Sequence, residues 1–184
     1  MAPRKPAKNY GCVESDALTS PAASGALPPY RASLQPEWID YNGHLRDAYY
    51  ALVLSHAIDD VMDHLGLDAA YRERTRCTLY TLELHMHYLH EVMASDALEV
   101  ATSVLDADRK RIHVGCRFAC GRSSDPVATG EVMLLHVHQG DKPASAAFPA
   151  HVERRLESLK LSGDESAVWG PGSRNMRIQR RPLA

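Results

Sequence analysis

No apolar run in these 184 residues approaches the roughly 20 positions that a bilayer-spanning helix needs. The opening segment, MAPRKPAKNYGCVESDALTS, carries basic residues but no apolar stretch behind them, so a secretory leader is not expected. Net charge is nearly absent too: 21 Lys and Arg stand against 23 Asp and Glu, leaving −2. That excludes the domain-wide basic footprint of a nucleic-acid binder. Cysteine is sparse. Cys12, Cys77, Cys116 and Cys120 form no C-x-x-C pair and are too few for a disulfide scaffold, so a reducing cytoplasm is the expected compartment. No glycine-rich phosphate loop stands between a strand and a helix. What is present, 45% hydrophobic and 24% charged residues, suits one globular domain with some excess length.

The excess lies at the ends. Residues 1–29 hold five of the eleven prolines and no sustained apolar period, which reads as a loosely ordered arm. Residues 163–184 contain Gly-Pro-Gly, then Arg174, Arg177, Arg180 and Arg181 with no acid after Glu165. This basic tail is either a solvated end or an anion-binding or subunit-clasping segment. Residues 30–162 hold the domain. Ala48, Ala51, Leu52, Ser55, Ile58, Val61, Met62 and Leu65 recur at helical spacing, and Gly66 follows as a stop. The spacing predicts a helix over 46–65 with that stripe buried. The period then changes to two. Leu82, Leu84, Met86 and Tyr88 alternate with Thr81, Glu83, His85 and His87. Leu98 to Val104, Ile112 to Phe118 and Val127 to Val137 mark three more strands. An earlier strand is predicted near 30–35 and a closing helix near 149–161. The links are too short for parallel crossovers, so the strands form an antiparallel meander covering the helix stripe. The fold class is α+β in two layers.

The chemistry concentrates in residues 39–50, Ile-Asp-Tyr-Asn-Gly-His-Leu-Arg-Asp-Ala-Tyr-Tyr. Asp40 precedes a turn containing Asn42 and Gly43, and the long helix begins straight after it. A first helical turn offers unpaired N–H groups and a partial positive charge. An acyl carbonyl placed there is polarised, and a developing oxyanion is stabilised. A carboxylate one turn upstream can attack that carbonyl or activate water on it. The plainer alternative is that Asp40 and Asn42 only satisfy turn and cap hydrogen bonds.

The pattern Asp-x-x-Gly-His-x-x-x-x-x-Tyr, opening a long helix ahead of antiparallel strands, resembles the hotdog-fold acyl-CoA thioesterases of the 4-hydroxybenzoyl-CoA type. The resemblance implies a sheet wrapped around the helix. It implies no metal or cofactor, coenzyme A being part of the substrate, and a homodimer or dimer of dimers with active sites between subunits. It places Asp40 as the catalytic carboxylate, Gly43 as the glycine that admits the thioester, and Tyr50 as the residue closing the motif. His44 orients the loop or contacts substrate. The backbone N–H of Asp47 polarises the carbonyl; Arg46-Asp47 stands where many relatives have two Asn. Glu83, His85 and His87 are candidates to reach a site from the second subunit, or else form a polar outer strand face. Arg109, Lys110 and Arg111 fall where relatives meet the coenzyme A phosphates, or else form a charged hairpin tip.

Aromatic residues crowd the motif: Trp38, Tyr41, Tyr49 and Tyr50 beside Asn42, with Tyr80 and Tyr88 on the next strand. They are either ordinary packing or a cage for a quaternary ammonium. The blocks IDYNGHLRDAYYALVLSHAIDDVMDHLGLD and CTLYTLELHMHYLHEV also resemble the small thioesterases of carnitine breakdown, which hydrolyse betainyl-CoA to glycine betaine and free coenzyme A. Two rival functions are a hotdog hydratase or dehydratase using Asp40 with His44, and a non-catalytic acyl-CoA-binding module. The pairs His85-x-His87 and His136-x-His138, with His56, Asp60 and His64, complete no metal signature, so no metal is expected.

Overall fold

The computed structural model describes residues 27–121, 125–161 and 176–179. Residues 1–26 of the arm expected over 1–29 and most of the basic tail lie outside them. In chain order the elements are β1 (Tyr30–Ala32), a 3-10 turn (Pro36–Trp38), α1 (Asp47–His64), α2 (Ala69–Thr75), β2 (Cys77–Tyr88), β3 (Leu98–Ala107), β4 (Arg111–Cys120), β5 (Ala128–His138), β6 (Ala144–Ser145) and α3 (Ala150–Leu159). The strands form one antiparallel sheet in the order β1-β3-β4-β5-β2, with β6 on β5. One sheet face, carrying Val100, Val104, Val114, Cys116, Phe118, Val132 and Leu134, shares a single core with α1. This is the expected hotdog arrangement of a long helix held in a curled antiparallel sheet.

Three expectations are corrected. First, β2 does not lie beside β3. The link 89–97 is long enough to pass the ends of two strands, and β2 pairs with β5 instead. It therefore forms a sheet edge. Second, the buried stripe of α1 is Tyr50, Val53, Leu54, Ala57, Ile58, Val61 and Met62, while Ala48, Leu52 and Ser55 are exposed. The first turns of α1 carry apolar residues on two sides, so spacing alone does not choose between them. Third, Leu82 and Leu84 are not core residues: they are 55% and 40% exposed. Leu84 keeps the α1 face, opposite Val132, but stands on the edge strand and is covered from one side only, while the register shift between Thr81 and Glu83 interrupts the alternation at Leu82. Three short elements, the 3-10 turn, β6 and α2, lie outside the expectations. The seven residues of α2 are capped by Asp68, whose side chain accepts the Tyr71 N–H at 2.8 Å, and end at Arg76 with φ 56°.

The opposite sheet face is also covered. His113, Thr129, Glu131 and Met133 lie there, and all are buried. His113 and Glu131 meet at 2.8 Å. Met176 and Ile178, from the segment read as a basic tail, pack on Met133.

Gly130, central in β5, shows how close the strands lie. A Cβ there would sit 2.8 Å from the His85 carbonyl oxygen, 2.9 Å from Cys116 Sγ and 2.5 Å from Met86 Sδ. The thioether can swing away, but the backbone carbonyl and the Cys116 side chain, buried in the core, cannot readily retreat. Gly130→Ala should therefore destabilise the fold by about 1–3 kcal/mol, read as a lowered urea midpoint at unchanged m-value.

Candidate active site

The loop before α1 is built by one carboxylate. Asp40 Oδ1 accepts the N–H of Asn42 at 2.8 Å and of His44 at 3.0 Å. Around it, Gly43 N–H donates to the Asp40 carbonyl and Asp40 N–H to the His44 carbonyl. Gly43 takes φ 85°, the left-handed conformation that glycine adopts without strain. A Cβ there would meet nothing within 4 Å, so within this chain the need for glycine is conformational rather than steric. The link from β2 to β3 pins the loop from the other side: Leu45 N–H donates to the Val92 carbonyl at 2.8 Å, and His44 bridges Met93. The detour that removes β2 from the meander thus also holds the Asp40 loop.

Helix α1 begins at Asp47 without a side-chain cap from Arg46. Arg46 instead reaches back, its Nε donating to the Ile39 carbonyl at 3.4 Å. The Asp47 carboxylate accepts the Ala48 N–H at 2.8 Å. The Asp47 N–H, at the first helical position, has no intrahelical acceptor. The Tyr88 hydroxyl donates to the Asp47 carbonyl at 3.3 Å, tying the end of β2 to the helix start. Tyr88 was noted among the aromatic residues, but this bond had no signal in the sequence.

The electrostatics follow the hydrogen bonds. The His44 N–H bond is the main cause that holds the Asp40 carboxyl below its ordinary 3.8. Partial burial opposes this, and Asn42 and the charge of the His44 ring assist. Burial, aided by Cys120, Tyr88, Asp96 and Glu91, pushes the Tyr50 hydroxyl up to about 12. Tyr50 is therefore a neutral packing residue, set edge-on to Tyr88 with centroids 5.2 Å apart and tilted against Phe118 at 5.7 Å. Trp38 and Tyr49 stack at 5.4 Å, while Tyr41 is 95% exposed. Burial likewise pushes the Cys116 thiol up to about 12, which removes it as a nucleophile.

Within one chain the structure brings together Trp38, Asp40, Asn42, Gly43, His44, Asp47, Tyr49, Tyr50 and Tyr88. It does not bring the other candidates to them. Glu83, His85 and His87 lie on the face of the sheet turned away from α1, opposite Met133, Glu131 and Thr129. His85 Nδ1 and His87 Nε2 are buried there without a partner. Arg109, Lys110 and Arg111 lie at the far end of the sheet. Phe118 is level with Tyr88 across β5, whereas Arg111 is seven residues away along β4, roughly 23 Å at ~3.3 Å per residue. Arg111 is occupied by Asp108 at 2.6 Å, and Lys110 Nζ by Ser145 Oγ at 3.2 Å. Among the described residues Arg109 has no side-chain partner.

No group of three or more His, Cys, Asp and Glu among the described residues could hold a metal ion. The His136-x-His138 pair shows why spacing misleads. Both His136 nitrogens are engaged, Nδ1 donating to the Ala146 carbonyl at 3.0 Å and Nε2 accepting the Tyr71 hydroxyl at 2.9 Å.

An acidic loop entering a helix start inside a curled antiparallel sheet is the layout of the hotdog hydrolases, and sequence comparison agrees with it. The profile of the thioesterase-like superfamily matches residues 34–156, and the chain belongs to that family. It is 46% identical over 136 residues to the betainyl-CoA thioesterase of Pseudomonas aeruginosa, covering 74% of this chain and 85% of that protein. It is 39% identical over 154 residues to the L-carnitine dehydrogenase/betainyl-CoA thioesterase of Agrobacterium fabrum, covering 82% of this chain but 31% of that longer protein. Among solved structures, a Staphylococcus aureus protein in complex with CoA superposes with a TM-score of 0.67 at 28% identity, over 73% of this chain and 85% of that one.

A base whose pKa is lowered remains charged as acid is added, until the pH falls through that lowered value. Asp40 should therefore cause no loss of kcat/KM between about pH 8 and about pH 5, its own limb lying below 3.8. A pH profile of thioester hydrolysis checks this. An acid limb near pH 5–6 that survives His44→Gln would show the Asp40 carboxyl to be raised rather than lowered.

Proposed function

We infer that this protein hydrolyses an acyl-CoA thioester to the free acid and coenzyme A, and that betainyl-CoA is its substrate. The observation that carries the reaction is the Asp40 loop: an ionised carboxylate, fixed by two backbone N–H groups, directly upstream of the open first turn of α1. Asp40 either takes a proton from water as the water oxygen attacks the thioester carbon, or attacks that carbon itself. The charge arriving on the carbonyl oxygen is met by the Asp47 N–H and the positive end of α1. Collapse of the adduct breaks the carbon–sulfur bond. On the first route the departing thiolate takes up the proton held by Asp40. On the second the thiolate is protonated by water, and a further water hydrolyses the acyl-aspartyl anhydride, releasing the acid and restoring Asp40. His44 orients the loop or contacts the substrate, and Gly43 gives the loop its turn.

The acyl group is supported by the 46% identical relative and by the ring faces of this site. A trimethylammonium carries a charge that water cannot approach closely, and it favours aromatic faces over a hydrocarbon wall. The stacked Trp38–Tyr49 pair supplies one such wall, Tyr50 and Tyr88 meet edge-on as a second pair, and Tyr41 and Asn42 belong to the Asp40 loop. A reducing cytoplasm suits the free Cys77, Cys116 and Cys120.

The working unit on this reading is a homodimer. Among the described residues β2 has no neighbour on one side, and Tyr80, Leu82, Leu84 and Tyr88 are exposed along it. A twelve-residue apolar edge left open invites aggregation, and pairing it with a second copy removes it. Antiparallel pairing about a two-fold axis also sets the basic turn of one copy towards the helix start of the other. The distance from Arg109 to Asp40 within one chain would then be no obstacle to a shared coenzyme A site.

Thiol release across an acyl-CoA panel tests the reading. Betainyl-CoA should lead it, and Asp40→Asn, which keeps the loop bonds but not the base, should lose about 10²–10⁴-fold in kcat. Trp38→Leu should raise KM for betainyl-CoA by about tenfold while altering that of an uncharged acyl-CoA little. Full activity in Asp40→Asn would reject the mechanism. Equal losses on charged and uncharged acyl groups would reject the cage.

The dimer is tested separately. Leu82→Lys with Leu84→Lys should sediment as a folded monomer whose kcat/KM is lower by about 100-fold. A persistent dimer with wild-type turnover would remove the edge-strand arrangement.

A further inference from the structure

The segment Met176–Gln179 has no part in the Asp40 site, yet its packing is specific. Met176 and Ile178 are buried against Met133, while Arg177 and Gln179 between and after them are exposed. That is the period-two alternation of an extended chain lying on a sheet. It crosses the face opposite α1, beside the buried His113–Glu131 pair. At its end, Arg111 Nη2 donates to the Gln179 carbonyl at 3.1 Å.

Arg111 is also the keystone of the basic turn. Its Nε and Nη2 both donate to Asp108 Oδ2, at 2.9 and 2.6 Å, and Asp108 Oδ1 accepts the N–H groups of Lys110 at 3.0 Å and Arg111 at 2.8 Å. The remaining backbone groups of the turn are committed to the sheet and to the segment before α3: the Lys110 carbonyl accepts the His136 N–H, and the Arg109 carbonyl accepts the Phe148 N–H, both at 2.8 Å. Every one of these bonds fixes the turn's backbone. Arg109 alone is left exposed with no side-chain partner among the described residues.

The geometry points to a positioning role for Met176–Gln179: this strap holds Arg111 against Asp108 and so presents Arg109 to the phosphates of coenzyme A. The strap acts through Arg111 and touches no reacting atom. The inference rests on the proposed reading of Arg109 as a phosphate contact, and it assigns a function to a piece of the chain that composition marks only as basic. It also separates two ways a cationic tail could serve an anionic substrate. One is direct contact by its arginines; the other is anchoring by its apolar residues.

The test compares one acyl group carried on coenzyme A and on pantetheine, which lacks the nucleotide phosphates. Met176→Ser with Ile178→Ser undocks the strap. It should raise KM for the CoA thioester by about tenfold, leave kcat within about twofold, and leave the pantetheine thioester unaffected. A chain ending at Gln179, which keeps the strap but lacks Arg180 and Arg181, should retain the wild-type KM. If the double variant lowers the melting temperature too far to assay, Ile178→Ala provides the same comparison at smaller amplitude. An unchanged KM in a strap variant overturns the inference. So does an equal rise on both substrates, which would mark general destabilisation, or a rise in the chain ending at Gln179, which would mark direct contact. Failure of the underlying reading looks different: Arg109→Ala would then leave KM for the CoA thioester unchanged.

Discussion

A carboxylate that closes its own turn is not free to swing, and the arrangement around α1 depends on that restraint. Asp40 Oδ1 holds the amides of Asn42 and His44, and the loop so formed delivers the chain into the helix at Asp47. The same bonds do two jobs. They fix the direction of the carboxyl group, and they stabilise its ionised form. A base with a depressed pKa is a weaker base, so this site gains constant ionisation and fixed aim at some loss of proton affinity. On the proposed reading of Asp40 as the catalytic group, that exchange suits hydrolysis of a thioester, whose carbonyl is already electrophilic. On the same reading, the charge that accumulates on the carbonyl oxygen is met by the uncapped helix start without movement.

The second constraint is topological. Moving β2 from beside β3 to beside β5 requires the 89–97 link to cross the end of the sheet, and that crossing passes next to the Asp40 loop and pairs with it at Val92 and Met93. The same rearrangement leaves β2 as an open edge with apolar side chains exposed. The clamp on the candidate site and the surface suited to a second copy are thus products of one choice of strand order. On the dimer reading this couples assembly to activity. Tyr88 sits on the edge strand and bonds the carbonyl of Asp47, so a change at the edge is felt at the first turn of α1.

How much of this the sequence disclosed varies with the kind of signal. Element type was legible wherever a period was long: α1 and the four main strands stand close to where spacing puts them, because one buried face per element imposes a repeat. The phase of α1 was not, since Ala48-Ala51-Leu52-Ser55 and Tyr50-Val53-Leu54-Ala57 are both acceptable core stripes. The alternation of Leu84, Met86 and Tyr88 with Glu83, His85 and His87 was legible and holds, whereas the bulge at Leu82 and the place of β2 at the sheet edge, which leaves those apolar residues partly uncovered, had no signal in the spacing. Strand order was invisible because alternation reports burial and not neighbours. The loop motif was the most legible part of the site. Asp40, Asn42 and Gly43 act within four residues of one another, so sequence distance is close to spatial distance. Glu83, His85 and the basic turn, whose roles depend on which face and which chain they meet, were legible only as residue types.

The C-terminal segment shows the converse error, in which composition obscures structure. Four arginines among the last residues suggest a solvated tail, yet the two residues that locate it are Met176 and Ile178, spaced to fall on one side of an extended chain. A clasp of four residues is weak on its own. Its leverage comes from where it attaches. The Asp108 carboxyl is pushed upward by burial, but the Arg111 side chain and the amides of Lys110 and Arg111 outweigh this and keep it below the usual carboxylate range. A charged, half-buried pair of that kind is sensitive to water, and covering its guanidinium from one side strengthens it. A small clasp placed over a charged hinge can therefore govern a turn that a larger one placed elsewhere could not.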